Sequence, residues 1–235
     1  MFPDFSIRSQ RQELMDDLSL DDRRLAHTFD ELVRVNRLLG GYEPSLAGLK
    51  RLLGERRRLS LLDVGTGGGD FPQRLARWAS KRGVELEVLG IDLSPTAVDS
   101  ARRRCQGSAG IRFERRDLFA MSGQARFDVV HAALMLHHLD AEHAASGLRR
   151  MYELSRLGVV INDLHRHPLA YLGSRIALPL ISRSQIIRHD GALSVLRAFR
   201  SADLYRLTDQ AELPPPELTW HFPFRWRMVI PRETK

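Results

Sequence analysis

From residue 59 onward, short apolar runs alternate with stretches of helical periodicity, and no other feature limits the possible folds of this 235-residue chain so tightly. The runs are "LSLLDV", "ELEVLGI", "FDVVHA" and "LGVVIND"; helical patterns cover 70–82, 94–105 and 140–155, and a short strand, "IRFERR", lies between the second and third runs. Such runs fit strands buried on both faces, as helix-separated parallel strands require. "ELTWHF" and "FRWRMVI", separated by Pro223, read as two closing strands. The expected fold is therefore α/β, with a doubly wound, mostly parallel, seven-stranded sheet. Trp220, Phe222, Phe224 and Trp226 alternate along the closing strands and read as core.

Two regions depart from the alternation. Residues 1–55 read as an N-terminal helical cap. Leu25, Phe29, Leu32, Val33 and Leu39 recur there at helical spacing, Asp21 or Asp22 can cap the start, and Gly40-Gly41 can stop it. Residues 56–235 form the α/β domain. Within it, 164–210 carries about three helical patches ("PLAYLGSRIALPLI", "GALSVLRAFR", "SADLYRL"), more than one crossover needs. This helical insertion before the last two strands is expected to act as a lid over a substrate region.

The stretch "LLDVGTGGGDF" puts a glycine-rich loop after the first strand of the alternation. A dinucleotide fold asks for G-x-G-x-x-G. Gly65 and Gly67 fit, but the third position is Asp70, and Asp63 precedes the loop. Two carboxylates near a pyrophosphate repel it. No Gly-Lys-Ser/Thr follows, so a P-loop is excluded as well. The pattern present, Asp63-x-Gly65-x-Gly67-x-Gly69, suits a ligand with a cationic end and no phosphates, whose ammonium a carboxylate and a backbone carbonyl can meet.

With that loop the chain resembles the class I S-adenosylmethionine-dependent methyltransferases over roughly residues 58–165. The resemblance implies a Rossmann-like methyltransferase fold and S-adenosyl-L-methionine as cofactor, bound by the 56–235 domain. It puts Asp63, Gly65, Thr66, Gly67 and Gly69 around the cofactor. Asp92, ending "LGID", would accept the ribose hydroxyls, and Leu93 would pack on the adenine. Asp117 and Leu118, in "FERRDLF", would lie beside the adenine amino group, and His131, in "FDVVHA", at the mouth of the sheet. Read without the family, Asp92 also fits a helix N-cap ahead of Ser94-Pro95, and Asp117 a turn residue.

The acceptor is narrowed by absences. The text after the fourth run is "HAALM", not the Asn/Asp-Pro-Pro-aromatic motif of base-nitrogen methylation. Cys105 falls on a helical pattern away from any nucleophile motif, and Lys50, Lys81 and Lys235 do not build a lysine-dependent ribose mechanism. "NDLHRHPLAY" instead follows the fifth strand, so Asp163, His165 and His167 are expected near the sheet's C-terminal edge, where ligands bind in open α/β folds. A histidine there can take the proton of a phenol or enol, and Asp163 can fix its tautomer. These histidines equally fit a helix cap or carbonyl partners. "NDLHRHPLAY" and "HDGALSVLRAF" also resemble bacterial small-molecule methyltransferases of the quinone- and polyketide-modifying kind, which adds Arg166 and Asp190 to the residues of interest.

The expected function is O-methylation of a small hydroxylated aromatic or polyketide-like molecule in a cytoplasmic monomer or homodimer. No metal is expected, since the chain has His131 and Asn162-Asp163 where a catechol-type site wants an acid and an Asp-Asn pair; adjacent His137-His138 face one ion poorly. The alternatives are an RNA methyltransferase and a non-catalytic, cofactor-binding regulatory protein. Only the net charge of +7 favours RNA, and with three lysines against thirty-three arginines it reads as coding bias and solvated faces. The single cysteine excludes an internal disulfide, and no apolar run reaches the ~18 residues of a bilayer span.

Overall fold

In the computed structural model, which describes residues 3–17 and 22–232, the seven apolar runs become strands β1 (Arg58–Val64), β2 (Glu85–Asp92), β3 (Ile111–Arg115), β4 (Phe127–Ala133), β5 (Ser155–Leu164), β6 (Glu217–His221) and β7 (Arg225–Pro231). They form one sheet in the order β3-β2-β1-β4-β5-β7-β6. The first five pair in parallel, and β7 runs antiparallel to both β5 and β6. The order reverses between β1 and β4, which leaves a crevice beyond the carboxyl ends of those strands. Register makes Asp63 the cross-strand neighbour of His131.

Helices α3 (Asp70–Ser80), α4 (Pro95–Arg104) and α5 (Ala141–Leu154) cover the parallel half. Their ends agree with the 70–82, 94–105 and 140–155 patterns because local chemistry punctuates them. Ser94 caps α4 by accepting from the Ala97 amide at 3.2 Å, and Asp140 caps α5 through the His143 amide at 2.8 Å. One apolar core fills the α5 side of the sheet, where Leu62, Val130, Leu148 and Ile161 are closed to solvent. A second lies on the other face, built from Leu49, Leu61, Leu75 and Val160.

The N-terminal region divides into an extended strap and two helices, α1 (Asp22–Leu38) and α2 (Glu43–Leu53). Asp22 is the first residue of α1, whereas Asp21, like Lys235, lies outside the described residues. Gly40 follows α1 at φ +61°, the left-handed conformation that ends a helix. α2 lies on the sheet, with Leu46, Leu49, Leu52 and Leu53 inside the second core. Residues 3–17 differ from the helical expectation, since the only helical turn among them is the 3-10 turn Leu14–Asp16. Their backbone finds partners elsewhere: the amides of Leu14 and Met15 donate to Asp190 at 2.9 and 3.0 Å, and buried Arg166 takes the Phe5 carbonyl at 2.9 Å.

The insertion consists of α6 (Pro168–Ile181), α7 (Gln185–Arg197) and α8 (Ser201–Gln210). α7 starts six residues before the apolar pattern "GALSVLRAFR" because Ser184 caps it. Its buried face combines Ile187 and Leu193 with the charged Asp190 and Arg197, so no apolar stripe marks it in the sequence. The aromatic alternation of the closing strands is not core: Trp220 is 43% and Phe222 80% exposed. Phe224 and Trp226 are partly buried; Trp226 packs against the core and donates from Nε1 to the Phe199 carbonyl at 3.1 Å.

Candidate active site

At the crevice above β1 and β4 lies a cavity of about 560 Å³, lined from the glycine loop to the strap. That volume suits a small-molecule ligand. Gly65 and Gly67 border it at φ +66° and +52°, and Gly68, not singled out in the sequence, borders it too. The loop turns left-handed at alternate residues, which lets backbone face the cavity without side chains. Gly69 has a different reason. A Cβ there would stand 2.8 Å from Ala101 on α4, so it serves helix packing and does not line the cavity.

Asp92 ends β2 at the cavity wall. Its Oδ2 accepts from the Gly67 amide and its Oδ1 from the Ser94 amide, both at 2.9 Å. Burial raises its pKa, and those amides oppose the shift in part. Asp92 therefore organises the loop besides facing the cavity. Leu93, 54% exposed, and buried Leu118 line the same end. Asp117 lies between solvent and cavity, its Oδ1 accepting from the Phe119 amide at 2.9 Å.

Asp63 is buried and fully engaged. Thr66 Oγ1 donates to its Oδ2 at 2.7 Å, and His131 Nδ1 stands 2.6 Å from its Oδ1. His131 is not at the mouth of the sheet. It is closed to solvent beneath Asp63, with Phe71 stacked on it at 4.1 Å and Ser45 Oγ 2.8 Å from Nε2. Asn162 continues this buried chain, donating to Ser45 Oγ and to the Gly41 carbonyl. The register neighbours of β1 and β4 thus fix the Asp63 carboxylate through His131.

His165 and His167 do not reach the cavity lining. His165 Nδ1 accepts from Trp220 Nε1 at 3.2 Å, with its ring 4.9 Å from that of Trp226. Burial, then the charges of His167, Arg200 and Arg166, lower its pKa to about 4. His167 caps α6, accepting from the Leu169 amide at 3.1 Å and stacking on Phe224. Arg166 and Asp190 are buried struts that hold the strap. Strand pleating explains the position of His165: Leu164 lines the cavity, so its neighbours Asp163 and His165 project from the opposite face of the strand's end.

Asp163 instead holds His137. The His137 ring Nδ1 is 2.6 Å from Asp163 Oδ1, and its backbone amide donates to Oδ2 at 3.2 Å. Burial works to raise the Asp163 pKa, but the His137 ring and its hydrogen bonds prevail, leaving the carboxyl below its ordinary value. His137 and His138 sit on a 3-10 turn, Leu136–His138, after β4, and both line the cavity. From the strap come Asp16, with Oδ1 2.6 Å from His138 Nδ1, and buried Glu13, whose Oε1 is 3.6 Å from His137 Nε2. Burial raises the Glu13 pKa.

Ligand atoms of Glu13, His137 and His138 lie within 4.8 Å of one another. The two rings lie 4.3 Å apart with 33° between their planes, and each Nδ1 is engaged by a carboxylate, that of His137 by Asp163 and that of His138 by Asp16. On the opposite side, Arg225 of β7 reaches the cavity beside Asn36, Tyr42 and Asp70. Its Nη2 donates to Asn36 Oδ1 at 3.1 Å, while buried Nη1 has no partner among the described residues. Burial lowers its pKa to about 10. Cys105 is buried away from the cavity, its thiol pushed up to about 11 by burial.

Residues 61–158, which contain the loop, Asp92 and the 3-10 turn, match the family described as a methyltransferase domain. Those residues carry a methyltransferase domain. A ubiquinone biosynthesis O-methyltransferase of Leptothrix cholodnii is 30% identical over 130 residues, 53% of this chain and 52% of that protein. One of the same name from Pseudoalteromonas translucida is 33% identical over 117 residues, 47% of this chain and 46% of the relative. The chain spans about half the length of the curated relatives it matches. Among solved structures, a SAM-dependent methyltransferase from Aquifex aeolicus superposes with a TM-score of 0.64 at 15% identity, covering 91% of this chain and 99% of that one. An O-methyltransferase family protein from Burkholderia thailandensis gives 0.67 at 17% identity, over 94% and 63%. At such identities these two show that the methyltransferase domain has the shared fold.

Proposed function

We propose that the protein is an enzyme that O-methylates a small hydroxylated aromatic or polyketide-like molecule, with His137 as general base. The observation that carries this reading is an imidazole whose tautomer is fixed by Asp163, in the same cavity as the glycine loop and Asp92. The O-methyltransferase names of the two curated relatives support the choice of oxygen.

The residues fit S-adenosylmethionine. Gly65 and Gly67 open backbone to the cavity, the Asp92 carboxylate can accept ribose hydroxyls, and the orphaned Nη1 of Arg225 would be satisfied by the carboxylate of the amino-acid end. When bound, this cofactor supplies an electrophilic methyl group on a sulfonium sulfur.

The chain's own residues then act on the acceptor. The Asp163 carboxylate accepts a hydrogen bond from the Nδ1–H of His137, which leaves the lone pair on Nε2. Nε2 would take the acceptor's hydroxyl proton and leave the oxygen nucleophilic; the resulting imidazolium would be stabilised by the Asp163 carboxylate, with Glu13 Oε1 3.6 Å from the same nitrogen. Met135, Leu139 and Phe29 give the cavity apolar walls that suit an aromatic acceptor and exclude water. The experiment is a methyl-transfer screen over phenols and quinols with the purified chain, read by mass spectrometry. Labelled methyl on RNA, with no phenol methylated, would overturn the reading; S-adenosylhomocysteine binding without turnover on any acceptor would favour a regulatory protein.

A further inference from the structure

Helix α6 presents an apolar stripe to solvent. Leu169, Leu172, Ile176 and Leu180 are 61%, 48%, 59% and 81% exposed, four of the twelve exposed large apolar side chains among the described residues. At 3.6 residues per turn these four positions fall within an arc of about 80°. The opposite side is already satisfied: Leu178 is buried with Val35 and Ile187, and it lies over Gly191 of α7, where a Cβ would meet it at 1.9 Å. The packing face of α6 is thus separate from its exposed face. A contiguous apolar patch of this kind marks an interaction surface.

The charged side chains of the segment itself have one sign, and the acid that meets it, Glu31 of α1, accepts from the Arg183 backbone amide at 2.7 Å. Residues 164–189 contain no Asp or Glu. Arg175, Arg183 and Arg188 are exposed, and none of them is ion-paired with a carboxylate among the described residues. Arg175 lies over the Tyr171 ring, and Arg188 bonds the Ser182 and Pro179 carbonyls, so the contacts of both arms are with uncharged groups. At 14 residues α6 is roughly 21 Å long, short of the ~30 Å hydrocarbon core. An apolar stripe flanked by cations on a helix of this length fits a helix lying in the plane of an anionic bilayer surface.

We propose that α6 docks the protein on an anionic lipid surface, with the four aliphatic side chains in the headgroup–acyl boundary and the arginines on lipid phosphates. A second copy of the chain is the less suitable occupant. A two-fold contact through this helix would bring unpaired arginines of the same segment together, with no acidic residue in 164–189 to answer them. The proposal is independent of the acceptor and of methyl transfer.

The test is co-flotation of the full chain with phosphatidylcholine vesicles prepared with and without phosphatidylglycerol. The parent should float with the phosphatidylglycerol vesicles and be released by added salt. Leu172→Glu with Ile176→Glu should weaken partitioning at least tenfold, with melting temperature and S-adenosylhomocysteine affinity unchanged. Arg175→Glu with Arg183→Glu should remove the preference for phosphatidylglycerol. A folded parent that stays with the soluble fraction, or a Leu172→Glu/Ile176→Glu variant that floats like the parent, overturns the proposal. A parent dimer that the same variant converts to monomer in sedimentation also overturns it, and assigns the stripe to self-association.

Discussion

His137 Nδ1 stands 2.6 Å from Asp163 Oδ1, joining the turn after β4 to the end of β5 across 26 positions of sequence. His137→Gln should lower turnover by about 10²–10⁴ and leave S-adenosylhomocysteine affinity unchanged in calorimetry. Asp163→Asn should move in the same direction, because it releases the tautomer. His165→Gln should stay close to the parent. A large loss in His165→Gln with near-normal turnover in His137→Gln would return the base to β5's end.

Asp92→Ala should weaken S-adenosylhomocysteine binding tenfold or more, since it removes one or two charge-assisted hydrogen bonds. The unliganded variant should also melt lower, because the Gly67 and Ser94 amides lose their acceptor. Burial raises the Asp92 pKa, so affinity should decline on acidification above the ordinary carboxylate range: the protonated group cannot accept two hydroxyls. Affinity flat with pH through that range would remove the carboxylate from ribose binding.

Gly67→Val and Gly69→Ala should separate two roles in one loop. Gly67 sits at φ +52°, and a Cβ added there would have only the Phe29 ring nearby, at 3.6 Å, so valine should abolish cofactor binding through backbone strain and occupied space. Gly69→Ala should chiefly lower thermal stability, because its methyl meets the backbone of Ala101 at 2.8 Å. Thermal shifts with and without S-adenosylhomocysteine distinguish the two. NAD should not shift the parent's melting temperature.

His165 should make stability fall on mild acidification. Its folded pKa is about 4 against an ordinary 6.5, so between those values the unfolded chain binds the extra proton and stability drops as pH decreases. Protonation of Nδ1 would also break the hydrogen bond from Trp220. His165→Gln should flatten the melting-temperature profile between pH 6.5 and 4. A profile as steep as the parent's would assign the acid sensitivity to other groups.

The sequence by itself determined the sheet, the glycine loop and the carboxylate ending β2, because each is written in local terms. Apolar runs between helical patterns specify buried parallel strands, and the left-handed turns at Gly65 and Gly67 need the residues that stand there. Tertiary structure decided which histidine faces the cavity. "NDLHRHPLAY" carries the polar cluster, yet pleating turns His165 towards Trp220 and Trp226, while Asp163 crosses to His137 on another strand's turn. Glu13, Asp16 and Arg225 were equally hidden, since strap, turn and β7 meet only after the sheet has closed. Their partners are 122 to 189 positions away for Asp16 and Arg225, a separation that no local pattern encodes. Register made His131 a support for Asp63, for the same reason: cross-strand neighbours are set by pairing, not by proximity along the chain.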